Sequence, residues 1–291
     1  MNFDYAVHSD FLIHWTGKKI DKRDEDGKLI WCKPGEDKSK TDEDETQSYI
    51  KRLNEILQFG LWMTEETKED EDSLRVAGKS VSIPRTPKTC FTELKLSESR
   101  KHAEQYGRLG IGVKRPFLFK NWGRPLIYYL REQLDKDIFL KDCVSNLEDK
   151  KLLNFFKPMN RSGEALTYDF YAESEWRILF FKELLEKKLI IDPRDPKNED
   201  ENNYFNKELT CDEQAKLKYL IPLNGWFAMI IYPSLDVKNK AQKYIREQNK
   251  ENGKIEYKLN DTQKEITRIK EDRIEDGNWP IEVDLDACRN F

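Results

Sequence analysis

Apolar residues recur at Tyr49, Ile50, Leu53, Ile56 and Leu57, the three-and-four spacing that gives a helix one buried face. Gly60 stands where that helix would meet its C-terminal cap, and Leu61-Trp62-Met63 resumes the core. Upstream, Phe11-Leu-Ile-His-Trp-Thr16 is short, bulky and β-prone, and predicts the first strand. Ser80 to Pro84 and Thr89 to Thr92 predict two more short strands. Ser97 reads as the N-cap of a helix that ends before Gly107. Between Arg108 and Phe119, Gly110 and Gly112 alternate with apolar residues, which predicts a strand closely approached by another backbone or a ligand. Pro125 is placed to open a helix carrying Leu126, Tyr129 and Leu130. Ser145-Asn-Leu-Glu148 has the form of a capping box for a helix with Leu152, Leu153 and Phe156.

Towards the C-terminus, Trp176, Ile178, Leu179, Phe180 and Phe181 form the densest apolar run and predict a buried strand. A polar stretch from Pro193 to Asn206 predicts a loop. Tyr219 to Leu223 and Trp226 to Tyr232 flank Asn224-Gly225, a hairpin signal. Pro233-Ser234 then starts a charged helix reaching about Asn249, a further helix is expected around Thr262 to Ile274, and Ile281-Glu-Val-Asp-Leu285 alternates as a last strand. Strands with interspersed helices and no regular βαβ rhythm predict an α+β fold. The expectation is a single domain over residues 1–291, with polar loops near 18–46, 64–79 and 193–210.

The charge balance adds exclusions. Charged residues make up 36% of the chain, yet the net charge is only −4 with the signs interleaved, so the whole surface is not a nucleic-acid footprint. No apolar stretch approaches a membrane span. Five scattered cysteines without a C-x-x-C pair, and a start lacking a secretion signal, predict free thiols in the cytoplasm. With three histidines, a zinc site of Cys and His is not expected.

Candidate chemistry concentrates in three places. Glu173 and Glu175 are two apart, so in extended chain they share a face at the mouth of a rigid strand. The bland alternative is a solvated acidic pair, and with Asp169 they could instead hold a metal for nuclease chemistry. His14 shares a strand face with Leu12 and Thr16, next to Gly17; a structural histidine is the commoner outcome there. Finally, Arg100, His102, Tyr106, Arg108, Lys114, Arg115, Lys120 and Arg124 gather cations around two glycines, a set suited to phosphate groups or equally to a solvated face. Gly110-Ile-Gly112 lacks the strand-then-helix context of a dinucleotide fingerprint.

Several segments together resemble the AbiGi family of abortive-infection (phage-resistance) proteins, labelled antitoxins. They are Phe11 to Gly17, Tyr49 to Gly60, Cys90-Phe-Thr-Glu-Leu94, Tyr106-Gly107 with Gly110-Ile-Gly112, Tyr171-x-Glu-x-Glu-Trp-Arg177 and the ending from Trp279 to Phe291. A fainter likeness, carried by His14, the helix ending at Gly60 and Glu175 in that order, is to ADP-ribosyltransferases of the DarT-like type. That resemblance implies an ADP-ribosyltransferase-like mixed sheet with flanking helices. It also implies NAD bound by His14 and Thr16 with Tyr106 and with either Arg100 or Arg115 as the basic residue, a catalytic Glu175, and Glu173 as its partner. The family label leaves a second option open, a non-catalytic antitoxin that binds a toxin or effector protein, or nucleic acid through the Arg108 to Arg124 segment.

Overall fold

A computed structural model describes residues 10–21, 23, 25, 43–65, 73–76, 79–93, 99–130, 138–159, 174–223, 225–245, 247–249, 256–258 and 280–290. In chain order the elements begin with β1 (Phe11–Thr16), α1 (Glu43–Phe59), β2 (Leu61–Thr64), β3 (Ser73–Val76), β4 (Lys79–Ser82) and β5 (Lys88–Thr92). Next come α2 (Ser99–Tyr106), β6 (Leu109–Lys114), α3 (Arg115–Lys120), β7 (Arg124–Pro125), β8 (Ile127–Leu130) and α4 (Ile138–Asn146). A 3-10 turn (Lys150–Phe155) leads to β9 (Phe156–Met159), β10 (Glu175–Leu179), α5 (Lys182–Glu186), α6 (Glu199–Asn203), α7 (Cys211–Lys216) and β11 (Leu217–Ile221). The chain closes with β12 (Phe227–Tyr232), α8 (Leu235–Ile245), β13 (Glu247–Asn249), β14 (Glu256–Lys258) and β15 (Ile281–Asp284). This is a mixed α and β architecture whose sheet contains both parallel and antiparallel pairs.

The elements sort into two compact units. The first comprises Met1–Leu61, Glu93–Phe117 and Pro222–Phe291. Here β6 lies between β1 and β12, antiparallel to both, and β12 runs parallel to β15. Every residue of β12 is buried, in keeping with a strand that is apolar on both faces. Ile13, Trp15, Ala103, Met229, Ile231 and Leu285 form one core cluster. The α1 helix buries the predicted face, Tyr49, Ile50, Leu53, Ile56 and Leu57, and the Gly60 N–H closes it on the Ile56 carbonyl at 2.9 Å. Gly110 and Gly112 are explained by side chains. A Cβ on Gly112 would meet the Met229 Cβ at 2.6 Å, and one on Gly110 would meet Ile231 and Trp15 at 3.0 Å.

The second unit comprises Trp62–Thr92 and Leu118–Ile221. Its β10 is antiparallel to β5 on one side and to the short β7 on the other. The β2 strand joins β5 and carries β11 on its far edge, while β3 pairs with β4 and β8 pairs in parallel with β9. Its core includes a cluster of Tyr129, Val144, Leu153 and Phe156 and another of Leu126, Phe155 and Leu179.

Several expectations are corrected. Pro125 opens no helix; it pairs with Trp176 in an edge strand, where its missing N–H costs nothing, and Leu130 ends a second strand. The strand expected through Phe119 stops at Lys114, and Arg115 to Lys120 is helical. Ser145 lies inside α4, and Asp149 caps the following turn by accepting the Lys151 N–H at 2.9 Å. The polar stretch from 193 to 206 contains α6, anchored by Tyr204, which is fully buried. The strands around Asn224-Gly225 make no hairpin: β11 pairs with β2, and β12 lies between β6 and β15. The charged helix after Ser234 ends at Ile245, short of Asn249. Ser97, Asp169, Glu173 and the helix expected at 262–274 lie outside the described residues.

Candidate functional site

Glu175 opens β10 and is buried, with 6% exposure. Its register partner on β5 is Thr92, and two residues on, Arg177 faces Cys90. The pleat puts residues i and i+2 on one side of a strand, so the Arg177 side chain returns to its own strand's carboxylate. Arg177 Nε donates to Glu175 Oε1 at 2.7 Å and Nη2 donates to Oε2 at 3.3 Å. Lys157 Nζ, from β9, donates to Oε2 at 2.6 Å. The backbone is engaged as well: the Glu175 N–H donates to the Tyr128 hydroxyl at 2.9 Å, and its carbonyl accepts the Leu126 N–H at 2.9 Å. Arg177 Nη1 in turn holds the Asn154 carbonyl at 2.6 Å. The Asn154 amide donates to the Pro84 and Lys151 carbonyls and to Thr86 Oγ1.

Electrostatics follow from this geometry. Burial by itself pushes the Glu175 carboxyl up, but Arg177 and Lys157 outweigh it and hold the group down at about 2. Burial pushes the Cys90 thiol up to about 12, and the adjacent Glu175 charge adds to the effect. The cluster is therefore a permanent carboxylate between two cations, with a neutral thiol beside it.

The first unit holds a second buried ionic cluster that the sequence did not announce. Arg108 Nε donates to Asp21 Oδ1 at 2.7 Å, and its Nη2 pairs with Glu45. The Tyr49 hydroxyl donates to Asp21, and Arg23 reaches the same carboxylate at 3.7 Å. Two glycines make the approach possible. Gly17, at φ +101°, leaves room for the Tyr49 ring, which a Cβ would meet at 2.5 Å. Gly107, at φ +113°, lies against the Lys18 nitrogen and the Thr16 carbonyl, 2.3 and 2.4 Å from where its Cβ would be. Burial, then the Asp21 charge, raises the Tyr49 phenol far above its ordinary value, so it stays protonated.

A family model described as "Putative abortive phage resistance protein AbiGi, antitoxin" matches residues 61–223, more than half of the chain. The chain belongs to the AbiGi family. The match takes in Cys90 to Leu94, Tyr106 to Gly112 and Tyr171 to Arg177, and with them Glu175, Lys157, Arg177 and Cys90. Phe11 to Gly17, Tyr49 to Gly60 and Trp279 to Phe291 fall outside it. No curated protein and no solved structure matches the chain.

In this AbiGi-family chain the residues singled out from sequence are distributed as follows. His14 and Thr16 lie half-buried on β1, opposite Ile111 and Leu109. Arg115 follows Lys114, which pairs with Phe11 at the other end of β1, roughly 17 Å along the strand from Thr16. It donates to Glu93 at 2.6 Å. Arg100 lies near Cys288, whose thiol it tempers, and Tyr106 stacks on buried His102 with ring centroids 6.2 Å apart. Glu175 belongs to the other unit. Of the basic segment, Arg108 is consumed by Asp21 and Glu45, while Lys114, Lys120 and Arg124 are exposed. Among the described residues no group of three or more His, Cys, Asp or Glu is placed to hold a metal, and no helix is long and apolar enough to cross a membrane. The residues missed were Lys157, Tyr128, Asn154 and Asp21. Arg177 could have been found, because it stands two positions from Glu175, the same spacing that singled out Glu173.

Proposed function

We propose that this chain is the antitoxin of an abortive-infection pair and protects by binding its toxin, with Glu175 as an internal counter-charge. The observation that carries this reading is the saturation of Glu175, whose two carboxylate oxygens are both taken by Lys157 and Arg177. A general base needs a lone pair within reach of substrate and a pKa near the working pH. A carboxyl held at about 2 and clamped by its own chain is poorly suited to that role. The family's antitoxin description supports the same reading. The test is to mix the purified chain with the toxin encoded alongside it and follow complex formation by size-exclusion chromatography. Growth rescue on co-expression is the second readout. A wild-type chain that neither binds nor rescues overturns the reading.

A second reading is an NAD-dependent transferase with an ADP-ribosyltransferase-like fold, in which His14, Thr16, Tyr106 and either Arg100 or Arg115 hold NAD and Glu175 acts with Glu173. Its support is the half-buried His14 and Thr16 beside Gly17, two polar side chains on a strand whose Leu12, Ile13 and Trp15 are buried. Calorimetric titration with NAD separates the two: binding that is abolished by His14→Ala supports the transferase, and an absence of heat removes it. Nucleic acid remains the third class of ligand, approached through Lys114, Lys120 and Arg124, and a salt-dependent shift of a labelled oligonucleotide would reveal it.

A further inference from the structure

In the second unit, α3 and α5 end in the same way, and in both the residue at the left-handed position is not glycine. At the end of α3 the Gly123 N–H reaches the Leu118 carbonyl at 2.7 Å and the Trp122 N–H reaches Phe119 at 3.1 Å. At the end of α5 the Leu189 N–H reaches Leu184 at 2.8 Å and the Lys188 N–H reaches Leu185 at 3.0 Å. These are paired Schellman closures, whose left-handed position favours glycine. Here it holds Trp122 at φ 60° and Lys188 at φ 55°. A side chain kept where glycine is less strained calls for a compensating role.

What the Trp122 turn presents is a surface of rings and cations. Phe119 is 49% exposed, and the Arg124 guanidinium lies over its ring, 5.7 Å from the centroid. Trp122 packs on Phe181 with centroids 5.5 Å apart, and Lys187 Nζ lies over the indole at 5.1 Å. Among the described residues no carboxylate pairs with Lys120, Arg124 or Lys187, so the patch carries three cations not neutralised by an ion pair, on a chain of net charge −4. Aromatic rings beside arginine are the residue types that dominate protein interfaces. One face of each ring already carries a cation of the chain's own, which leaves less open platform for stacking bases.

We infer that the patch of Phe119, Lys120, Trp122, Arg124 and Lys187 is the docking surface for an acidic segment of the partner toxin; this rests on the antitoxin reading. The complementary charges steer encounter, and the rings supply the apolar contact. The experiment measures the affinity of purified toxin for wild-type chain, Arg124→Glu, Lys187→Glu and the milder Arg124→Gln, with Lys197→Glu as an exposed cation elsewhere. Thermal melts of each variant verify folding. The expected result is a loss on the order of 30-fold for the two charge reversals, a smaller loss for Arg124→Gln, and none for Lys197→Glu. Toxin binding undiminished in both reversals overturns the patch and leaves the antitoxin reading standing. A wild-type chain that does not bind toxin overturns both. Reversals that spare toxin but abolish binding of a 20-nucleotide single strand overturn the inference and reassign the surface to nucleic acid.

Discussion

Replacing Glu175 by glutamine keeps the shape of the side chain and removes its charge, leaving Lys157 and Arg177 facing each other at 14% and 12% side-chain exposure. The size of the effect follows from the carboxyl's own titration. A group that drops from an ordinary value of 4.5 to about 2 on folding contributes about 3 kcal/mol at neutral pH. Breaking one side of a buried ion pair costs about 3–5 kcal/mol, so the two routes agree. For a chain of this size that is a fall in Tm of roughly 6–12 °C. The pH dependence carries the sharper test. Because the folded pKa lies below the unfolded one, the stabilisation is complete above about pH 4.5 and is lost as pH falls towards 2. Urea unfolding of wild type and Glu175→Gln at pH 7, 4 and 3 should show a gap near 3 kcal/mol that narrows steadily with acid. A variant within 1 kcal/mol of wild type at pH 7, or a gap independent of pH, would refute the account of Glu175 as a clamped counter-charge.

Three further perturbations test other parts of the structure. Arg108→Ala leaves Asp21 and Glu45 buried without their shared cation and should cost about 3–5 kcal/mol in urea unfolding. Cys90, with its thiol pushed up to about 12, should resist iodoacetamide at pH 8 while exposed Cys211 alkylates, and peptide mass mapping should show Cys90 gaining reactivity in Glu175→Gln. Lys188→Gly, at φ 55° in the closing turn of α5, should raise stability by up to about 1 kcal/mol, measured as a shift of the thermal midpoint.

The parts of the fold that were legible are those in which one face decides. The first strand matches its predicted span, and α1 buries its predicted face and closes at Gly60, because Leu12, Ile13 and Trp15 and the Tyr49 to Leu57 stripe decide which side is buried; α1 nevertheless starts at Glu43, inside the stretch expected to be a loop to residue 46. Local signals failed where two contexts share one signature. Pro125 suits the first turn of a helix and equally an edge strand, and pairing with Trp176 decided between them. Asn224-Gly225 is a turn signal, but Phe227 to Tyr232 is apolar on both faces and belongs between two other strands. The 193–206 stretch is polar in composition, yet the Asn198 and Asn202 side chains bond the Asp192 and Pro193 carbonyls at 2.8 and 3.1 Å, holding a helix that the sequence pattern did not show.

The site shows a deeper limit. Glu175 is conspicuous in the sequence, but what a carboxylate does is set by what surrounds it. Its decisive partner Lys157 is eighteen positions away on a different strand. The same applies to Asp21 and Arg108, which are brought together by Gly17 and Gly107 across eighty-seven positions. In each unit a buried charge cluster is neutralised within the chain, Asp21 and Glu45 with Arg108 and Glu175 with Lys157 and Arg177, and breaking such a pair is costly. Binding energy for a partner must then come from side chains whose charges are not already spent internally. Among the described residues the Phe119, Trp122, Arg124 and Lys187 surface meets that condition, with rings partly exposed and cations resting on aromatic faces instead of carboxylates. Substitutions at Glu175 or Arg108 should therefore act through the amount of folded protein, and those at Arg124 or Lys187 through affinity at unchanged stability. A Glu175→Gln chain that melts normally but no longer neutralises toxin would break that division and return the buried carboxylate to the centre of function.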